Sequence, residues 1–332
     1  MSKVDKKRVA IVGATGVVGR TIVEVLTERE FPVADFVPVA TDSSANRRID
    51  FLGKEWVVQM ADDVDFSHVD TCFFTAGAAV SRALVPRVID EGCRVVDNTT
   101  AFRMDAGVPL VVPEINGDEV TDDTRLVSCP NCTTVNLVMS LAPLLREVPI
   151  ERVVMTSFQS VSGAGKEALA ELDAQARADL DGETLVAKVF EKPIAFNCLP
   201  QVGDFEESGY SAEEQKIIDE TQKILRAPDL LVVPTAVRVP VRVGHGLSVN
   251  VEFGDNLSLG RARDLWREAP GTAFDEGLPT PRDVAGTDTV VVGRLRRDPT
   301  RSHAISYWVV GDNLRKGAAT NSVQIAELWS NL

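Results

Sequence analysis

The chain has 332 residues, 44% of them hydrophobic and 25% charged, and a formal net charge of −14. That length supports two domains with real cores, in an ordinary globular composition. The charge argues against general binding to nucleic acid or an anionic membrane. No apolar run approaches the roughly 18 residues of a membrane helix, and the polar start Met1–Lys7 lacks the apolar core of a signal peptide.

In chain order, Arg8–Val12 reads as a short buried strand. The turn Gly13-Ala14-Thr15-Gly16-Val17-Val18-Gly19 follows and opens a helix through Leu26. Apolar runs at Phe36–Ala40, Thr71–Thr75 and Arg94–Asp97 read as parallel strands, with a helix over 79–91. This alternation predicts an α/β fold, with a Rossmann-like doubly wound dinucleotide-binding domain over 1–131. After Cys132 the texture changes. Helices over 165–180 and 211–226 mix with alternating strands at Arg152–Phe158, Ala236–Val241 and Leu247–Phe253. An α+β catalytic domain over 132–312, with a mainly antiparallel sheet, is expected. The last apolar segment reads as a helix within about 313–332 that returns to complete the first domain.

Gly13, Gly16 and Gly19 sit where a strand turns into a helix. Glycine there permits a tight turn and lets backbone approach a pyrophosphate at the helix N-terminus. The end of the second strand decides between NAD and NADP. It reads Thr41-Asp42-Ser43-Ser44-Ala45-Asn46-Arg47-Arg48. Asp42 suits a ribose 2′-hydroxyl, whereas Ser43, Ser44 and the arginines suit a 2′-phosphate.

The most informative stretch is Ser128-Cys129-Pro130-Asn131-Cys132-Thr133-Thr134, a polar turn that runs straight into the apolar Val135–Leu141. A helix starting at Cys132 puts its sulfur at the positive end of the helix dipole and favours the thiolate. Beside a hydride carrier, a reactive thiolate indicates thioester redox chemistry. Of the three histidines, His68 and His303 lie in polar surroundings. His245, in Gly244-His245-Gly246 between two strands, is expected to present an accessible ring to Cys132. The five cysteines form no disulfide framework, which fits a reducing cytoplasm.

Six segments carry a resemblance to a known family: Gly13–Gly19, Ala101–Asp105, Pro130–Thr134, Gln159–Gly165, Arg238–His245 and Asp312–Asn321. They are colinear over nearly the whole chain, and it resembles aspartate-semialdehyde dehydrogenase. The resemblance implies reduction of aspartyl phosphate to aspartate semialdehyde with NADPH, with release of phosphate. The step lies on the route to lysine, threonine, methionine and diaminopimelate. Cys132 would be the thioacyl nucleophile, His245 the general acid/base, and Gln159 an orienting group. Arg238 would bind the substrate carboxylate, Glu213 its amino group, and Lys216 and Arg103 the phosphate. The Cys132 N–H and the Asn131 side chain form an expected oxyanion site. Thr15, Gly16, Val17, Val18, Ser43, Ser44, Ser162, Gly163 and Gln324 would hold the cofactor. A cytoplasmic homodimer, with the second domain as dimerisation domain, is expected, and no metal.

Two positions depart from the family pattern. Asp42-Ser43 stands where a basic residue often precedes Ser-Ala, so NAD is expected to be accepted beside NADP. Cys129 creates a C-x-x-C spacing, which leaves open a regulatory disulfide with Cys132 or a buried bystander thiol. The alternative enzyme reading is an N-acetyl-glutamyl-phosphate reductase-like protein. A non-catalytic binding paralogue is the alternative of another class; it should have lost Cys132 or His245, and this chain keeps both.

Overall fold

The computed structural model describes residues 6–41 and 44–330. It divides into two compact units, residues 1–130 with 318–332, and residues 131–317.

The first unit begins with β1 (Lys7–Val12), α1 (Val17–Glu28) and β2 (Val33–Ala40). A hairpin of β3 (Arg48–Phe51) and β4 (Lys54–Val57) follows, then the short β5 (Gln59–Met60). Next come β6 (Thr71–Phe74), α2 (Ala78–Asp90), β7 (Arg94–Asp97), α3 (Pro113–Asn116) and β8 (Leu126–Ser128). The sheet order is β5-β2-β1-β6-β7-β8, and every pairing is parallel. Alternation along the strands explains the layers. Val9 and Ile11 of β1 enter one buried cluster with Ile22, Val25 and Leu26 of α1, whereas Ala10 and Val12 enter another with Val85 and Val88 of α2. A strand buried on both faces reads as the continuous apolar run seen in the sequence. The chain turns from β1 to opposite neighbours, β2 and β6, so the switch point of this sheet lies beside the glycine-rich turn.

The second unit holds α4 (Cys132–Glu147), β9 (Ile150–Gln159), α5 (Lys166–Leu180), α6 (Ala212–Ile224), β10 (Leu231–Arg238) and β11 (His245–Phe253). It continues through α7 (Leu259–Glu268), β12 (Thr272–Asp275), α8 (Pro281–Val284), β13 (Val290–Arg297) and β14 (Ala304–Gly311). Its sheet runs β10-β9-β11-β14-β13-β12. The central pairings are antiparallel, and the two outermost, β10 with β9 and β12 with β13, are parallel. The strand read as Ala236–Val241 instead begins at Leu231 and stops at Arg238, two residues before Pro240, which has no N–H for a ladder. A π-helical turn over Arg315–Ala319 then leads into α9 (Thr320–Ser330). In α9, Val323, Ile325, Ala326 and Trp329 join the α1 side of the first unit's core, which gives this helix its place there.

The second sheet places the chemistry. Gln159 ends β9 and Arg238 ends its parallel neighbour β10, where the two pair directly. His245 begins β11, which runs the opposite way between β9 and β14. Three functional side chains from distant sequence positions therefore share one end of one sheet.

Candidate active site

Asn131 is the N-cap of α4, and its Oδ1 accepts from the N–H of Thr133 at 2.8 Å and of Thr134 at 3.3 Å. Asn is among the best caps because its short side chain reaches these otherwise unpaired donors. Cys132 thereby becomes the first residue of a 16-residue helix buried along most of its length, with its sulfur at the positive end. The Asn131 amide, expected as an oxyanion donor, donates from Nδ2 to Glu213 Oε1 at 2.8 Å, which uses one of its two N–H groups. Its own N–H donates to Glu220 Oε2 at 2.7 Å.

His245 lies with Nε2 3.2 Å from Cys132 Sγ. It is the first residue of β11 and fully buried, not an accessible ring between strands. The reason is packing on both flanks. Gly246 touches the Trp308 ring so closely that an added Cβ would fall 2.4 Å from it, and at Gly244, with φ of 90°, an added Cβ would lie 2.6 Å from Pro281 O. Burial first, and the Arg238 charge second, push the imidazole down to about 3, so it is neutral near pH 7. His68 and His303 are exposed.

Arg238 is buried and donates from Nη1 to Ser160 O at 2.8 Å. Desolvation lowers its pKa, against the attraction of Glu213 and Cys132. Gly163 lies beside it: an added Cβ would sit 3.2 Å from Arg238 Nη1 and 3.7 Å from the His245 ring. The Gln159 amide donates to Ser157 Oγ and to Glu213 Oε1, each at 3.2 Å. Glu213 thus gathers Asn131 and Gln159 on one oxygen, while Lys216, half-exposed on the same face of α6, stands 3.7 Å from the other. In the second unit the structure brings Asn131, Cys132, Gln159, Glu213, Lys216, Arg238 and His245 into one constellation. The arrangement can stabilise a thiolate, bind a carboxylate at Arg238, and offer both signs of charge to a zwitterionic substrate.

Four residues were not singled out from the sequence: Ser160, Glu220, Asn313 and Gly317. Glu220 lies seven residues after Glu213, two turns along α6, a spacing that could have flagged it. Ser160, Asn313 and Gly317 lay inside the family-like segments without a role. Gly317 packs on the nucleophile, where an added Cβ would stand 2.8 Å from Cys132 Cβ.

The first unit holds the other expected residues. At the β1–α1 turn, Gly13 has φ of 94°, and a Cβ on it would lie 2.5 Å from Thr75 Oγ1. A Cβ on Gly19 would lie 2.3 Å from Gly13 O, and no side chain caps α1. Such a turn, closed to any side chain and ending in an uncapped helix N-terminus, fits a dinucleotide pyrophosphate. Thr15, Val17 and Val18 are half-buried there, and Ser44 is buried in the turn after β2. Asp42 and Ser43 lie outside the described residues. Arg48 pairs with Glu55 across the β3–β4 hairpin. Gln324 donates to Glu114 Oε1 at 2.9 Å. Arg103 is buried, not a solvated surface charge. Its Nε donates to Cys129 O and its Nη2 to Asn98 O, both at 3.0 Å. Cys129 itself is fully buried in the core cluster around α1 and α9, with Sγ 3.7 Å from Ala318 O and 3.4 Å from Asn321 Nδ2.

Comparison with known proteins places this geometry. Residues 8–123 match the family model of the semialdehyde dehydrogenase NAD binding domain, and residues 141–316 that of the semialdehyde dehydrogenase dimerisation domain. An aspartate-semialdehyde dehydrogenase of Shewanella sp. is 44% identical over 96% of this chain and 96% of its own length. That of Bacillus subtilis is 40% identical over 98% and 97%. The crystal structure of aspartate semialdehyde dehydrogenase II from Vibrio cholerae superposes with a TM-score of 0.97 at 42% identity, covering 98% of this chain and 99% of that one. The same enzyme complexed with ASA gives the same score. The chain belongs to the aspartate-semialdehyde dehydrogenase family.

Proposed function

We propose that this oxidoreductase converts L-aspartyl 4-phosphate to L-aspartate 4-semialdehyde and phosphate with NADPH, through a thioacyl group on Cys132. The observation that carries the reading is Cys132 Sγ at the start of α4, 3.2 Å from His245 Nε2. The Cys132 thiolate attacks the C4 carbonyl. The C–S bond forms, the C–O bond to phosphate breaks, and the phosphate leaves with the electron pair. The β1–α1 turn would hold a reduced nicotinamide dinucleotide, whose chemistry would be to give a hydride to C4 of the thioester, forming the new C–H bond. The C–S bond then breaks and the electron pair returns to Sγ. Arg238 binds the α-carboxylate and Glu213 faces the ammonium group. Gln159 orients the acyl group, and Arg103 and Lys216 offset the phosphate charge. The Cys132 N–H donates to the carbonyl oxygen. Thr15–Val18, Ser43, Ser44, Ser162, Gly163 and Gln324 are assigned to the cofactor.

The product feeds synthesis of lysine, threonine, methionine and diaminopimelate. We further propose a homodimer formed through the second domain, working in the cytoplasm. Among the described residues, no helix is long and apolar enough to cross a membrane.

The test is an assay with aspartate semialdehyde, phosphate and each nicotinamide cofactor, on wild type and Cys132→Ala. The variant should lose turnover by on the order of 10⁴-fold or more. Turnover surviving in Cys132→Ala overturns the mechanism, and turnover of N-acetyl-glutamyl phosphate instead overturns the substrate. NAD should be accepted too; a preference for NADP above about a thousandfold, roughly 4 kcal/mol, overturns that expectation.

A further inference from the structure

Around His245 lies a hydrogen-bond network that the assigned roles do not use. The backbone N–H of Ser160 donates to His245 Nδ1 at 3.1 Å. A backbone N–H can only donate, so Nδ1 must be an unprotonated acceptor. In the neutral ring the proton then sits on Nε2, the nitrogen facing Cys132 Sγ. Both ends of the Ser160 residue are pinned, since its C=O accepts from Arg238 Nη1 at 2.8 Å. The loop after it is held by the N–H groups of Val161 and Ser162, which donate to Val241 O and Arg242 O.

One side chain ties these pieces together. Asn313 Oδ1 accepts from Ser160 Oγ at 3.0 Å, from Ser162 Oγ at 3.2 Å and from the Gly244 N–H at 2.9 Å. Its Nδ2 reaches Ser162 Oγ at 2.9 Å. It is buried, so these partners are not exchanged for water. It therefore joins the loop that carries the Nδ1 partner to the residue immediately before His245. The Ser160 hydroxyl, 3.2 Å from Nδ1, gives its own hydrogen to Asn313, so the fixed donor to Nδ1 is the Ser160 N–H, whose place the Asn313 contacts hold.

We infer that Asn313 is a positioning residue: it fixes His245 as the Nε2–H tautomer, so that the ring gives Cys132 a hydrogen bond and does not accept its proton. The inference rests on the reading of Cys132 as nucleophile. It changes the proton accounting of the proposed reaction. The cysteine begins and ends each turnover as thiolate, held by the Nε2–H group and the α4 N-terminus. The single proton consumed goes from solvent to the departing phosphate. When the C–S bond breaks, the pair returning to Sγ meets the same Nε2–H. The charged groups facing the ring are Cys132 on α4 and Arg238 on β10, and the burial that holds His245 neutral agrees with a ring that stays a donor.

The test is ¹⁵N NMR of the full-length protein labelled at histidine, which has only three such residues. Spectra are followed from about pH 5 to 8, and His68→Gln and His303→Gln assign the two exposed rings, which leaves that of His245 as the third. The third ring should stay neutral, with Nδ1 unprotonated and Nε2 protonated. A third ring that carries its proton on Nδ1, or that becomes imidazolium in this range, overturns the proposal without any variant. Asn313→Ala should give that ring a mixture of tautomers and slow alkylation of Cys132 by iodoacetamide at pH 7. It should lower kcat by about tenfold to a hundredfold with KM within twofold. Asn313→Asp keeps the accepting oxygen and should restore the wild-type tautomer. It serves as the deciding variant should Asn313→Ala not fold. A wild-type tautomer and alkylation rate in Asn313→Ala, or an Asn313→Asp ring that is not restored, removes Asn313 from the role. Loss of turnover in wild type with the tautomer as described would instead count against the proposed reaction and leave this inference standing.

Discussion

Gly317→Ala offers a sharp test of how tightly the nucleophile is held. Gly317 lies in the π-helical turn 315–319, a kind of irregularity that often marks functional sites. Its missing side chain is where Cys132 sits. An added Cβ would stand 2.8 Å from Cys132 Cβ and 3.3 Å from Cys132 Cα and Asp312 O. Carbon atoms in contact settle at roughly 3.5–4.0 Å, so about 0.7 Å or more must be absorbed. Both partners are backbone or Cβ atoms, and neither can rotate away. Gly317 is tied through its N–H to Asp312 O at 3.0 Å, and Cys132 follows directly on the N-cap. The sulfur should therefore move by several tenths of an ångström relative to His245. A misplacement of about 1 Å can cost on the order of 10²-fold in rate, so kcat should fall by roughly tenfold. Overpacking should also cost about 1–3 kcal/mol of stability. The comparison is Gly293→Ala in β13, not itself one of the constellation's residues, where an added Cβ would meet Pro279 Cδ at the same 2.8 Å. Both variants should lose stability by urea denaturation, and only Gly317→Ala should lose kcat, measured per folded molecule. The reasoning is refuted if Gly317→Ala keeps kcat within twofold of wild type, or if Gly293→Ala loses as much.

Two further outcomes are expected. His245 is held near 3 in the folded protein, against about 6.5 when unfolded, so below pH 6.5 the unfolded chain takes up a proton that the folded one refuses. Its contribution is intact above pH 6.5 and is lost as pH falls towards 3, at about 1.4 kcal/mol per pH unit. Urea unfolding of wild type and His245→Asn at pH 7 and pH 5 isolates this term, and equal losses in both would contradict it. Glu213→Ala should leave the Asn131 and Gln159 amides without their shared acceptor, at about 1.5–3 kcal/mol for a hydrogen bond to a charged group. It should raise KM for aspartate semialdehyde and lower kcat. Wild-type kinetics in a folded Glu213→Ala would show that its carboxylate does not organise the site.

Much of the fold is legible where local rules and burial agree. The run Arg8–Val12 and the turn Gly13–Gly19 announce a buried parallel strand feeding an uncapped helix, because both faces of that strand are covered and only glycine fits the turn. The start of α4 at Cys132 is equally readable, since an Asn cap before an apolar run is a local signal. The π turn before α9 and the parallel edges of the second sheet are not. They depend on which strands meet and on what α9 packs against, and neither is encoded in a window of neighbouring residues.

The same division runs through the site. The residue types capable of the chemistry, a cysteine at a helix start, one histidine between glycines, and arginines in an acidic chain, stand in the sequence because they are properties of composition and spacing. The burial of His245, the choice of its tautomer, and the recruitment of Ser160, Asn313 and Gly317 belong to the tertiary structure alone. An antiparallel strand had to bring His245 beside the ends of β9 and β10 before Ser160 could reach its ring. The backbone N–H that selects the tautomer is common to every residue but proline, so no reading of side-chain types can mark it in advance.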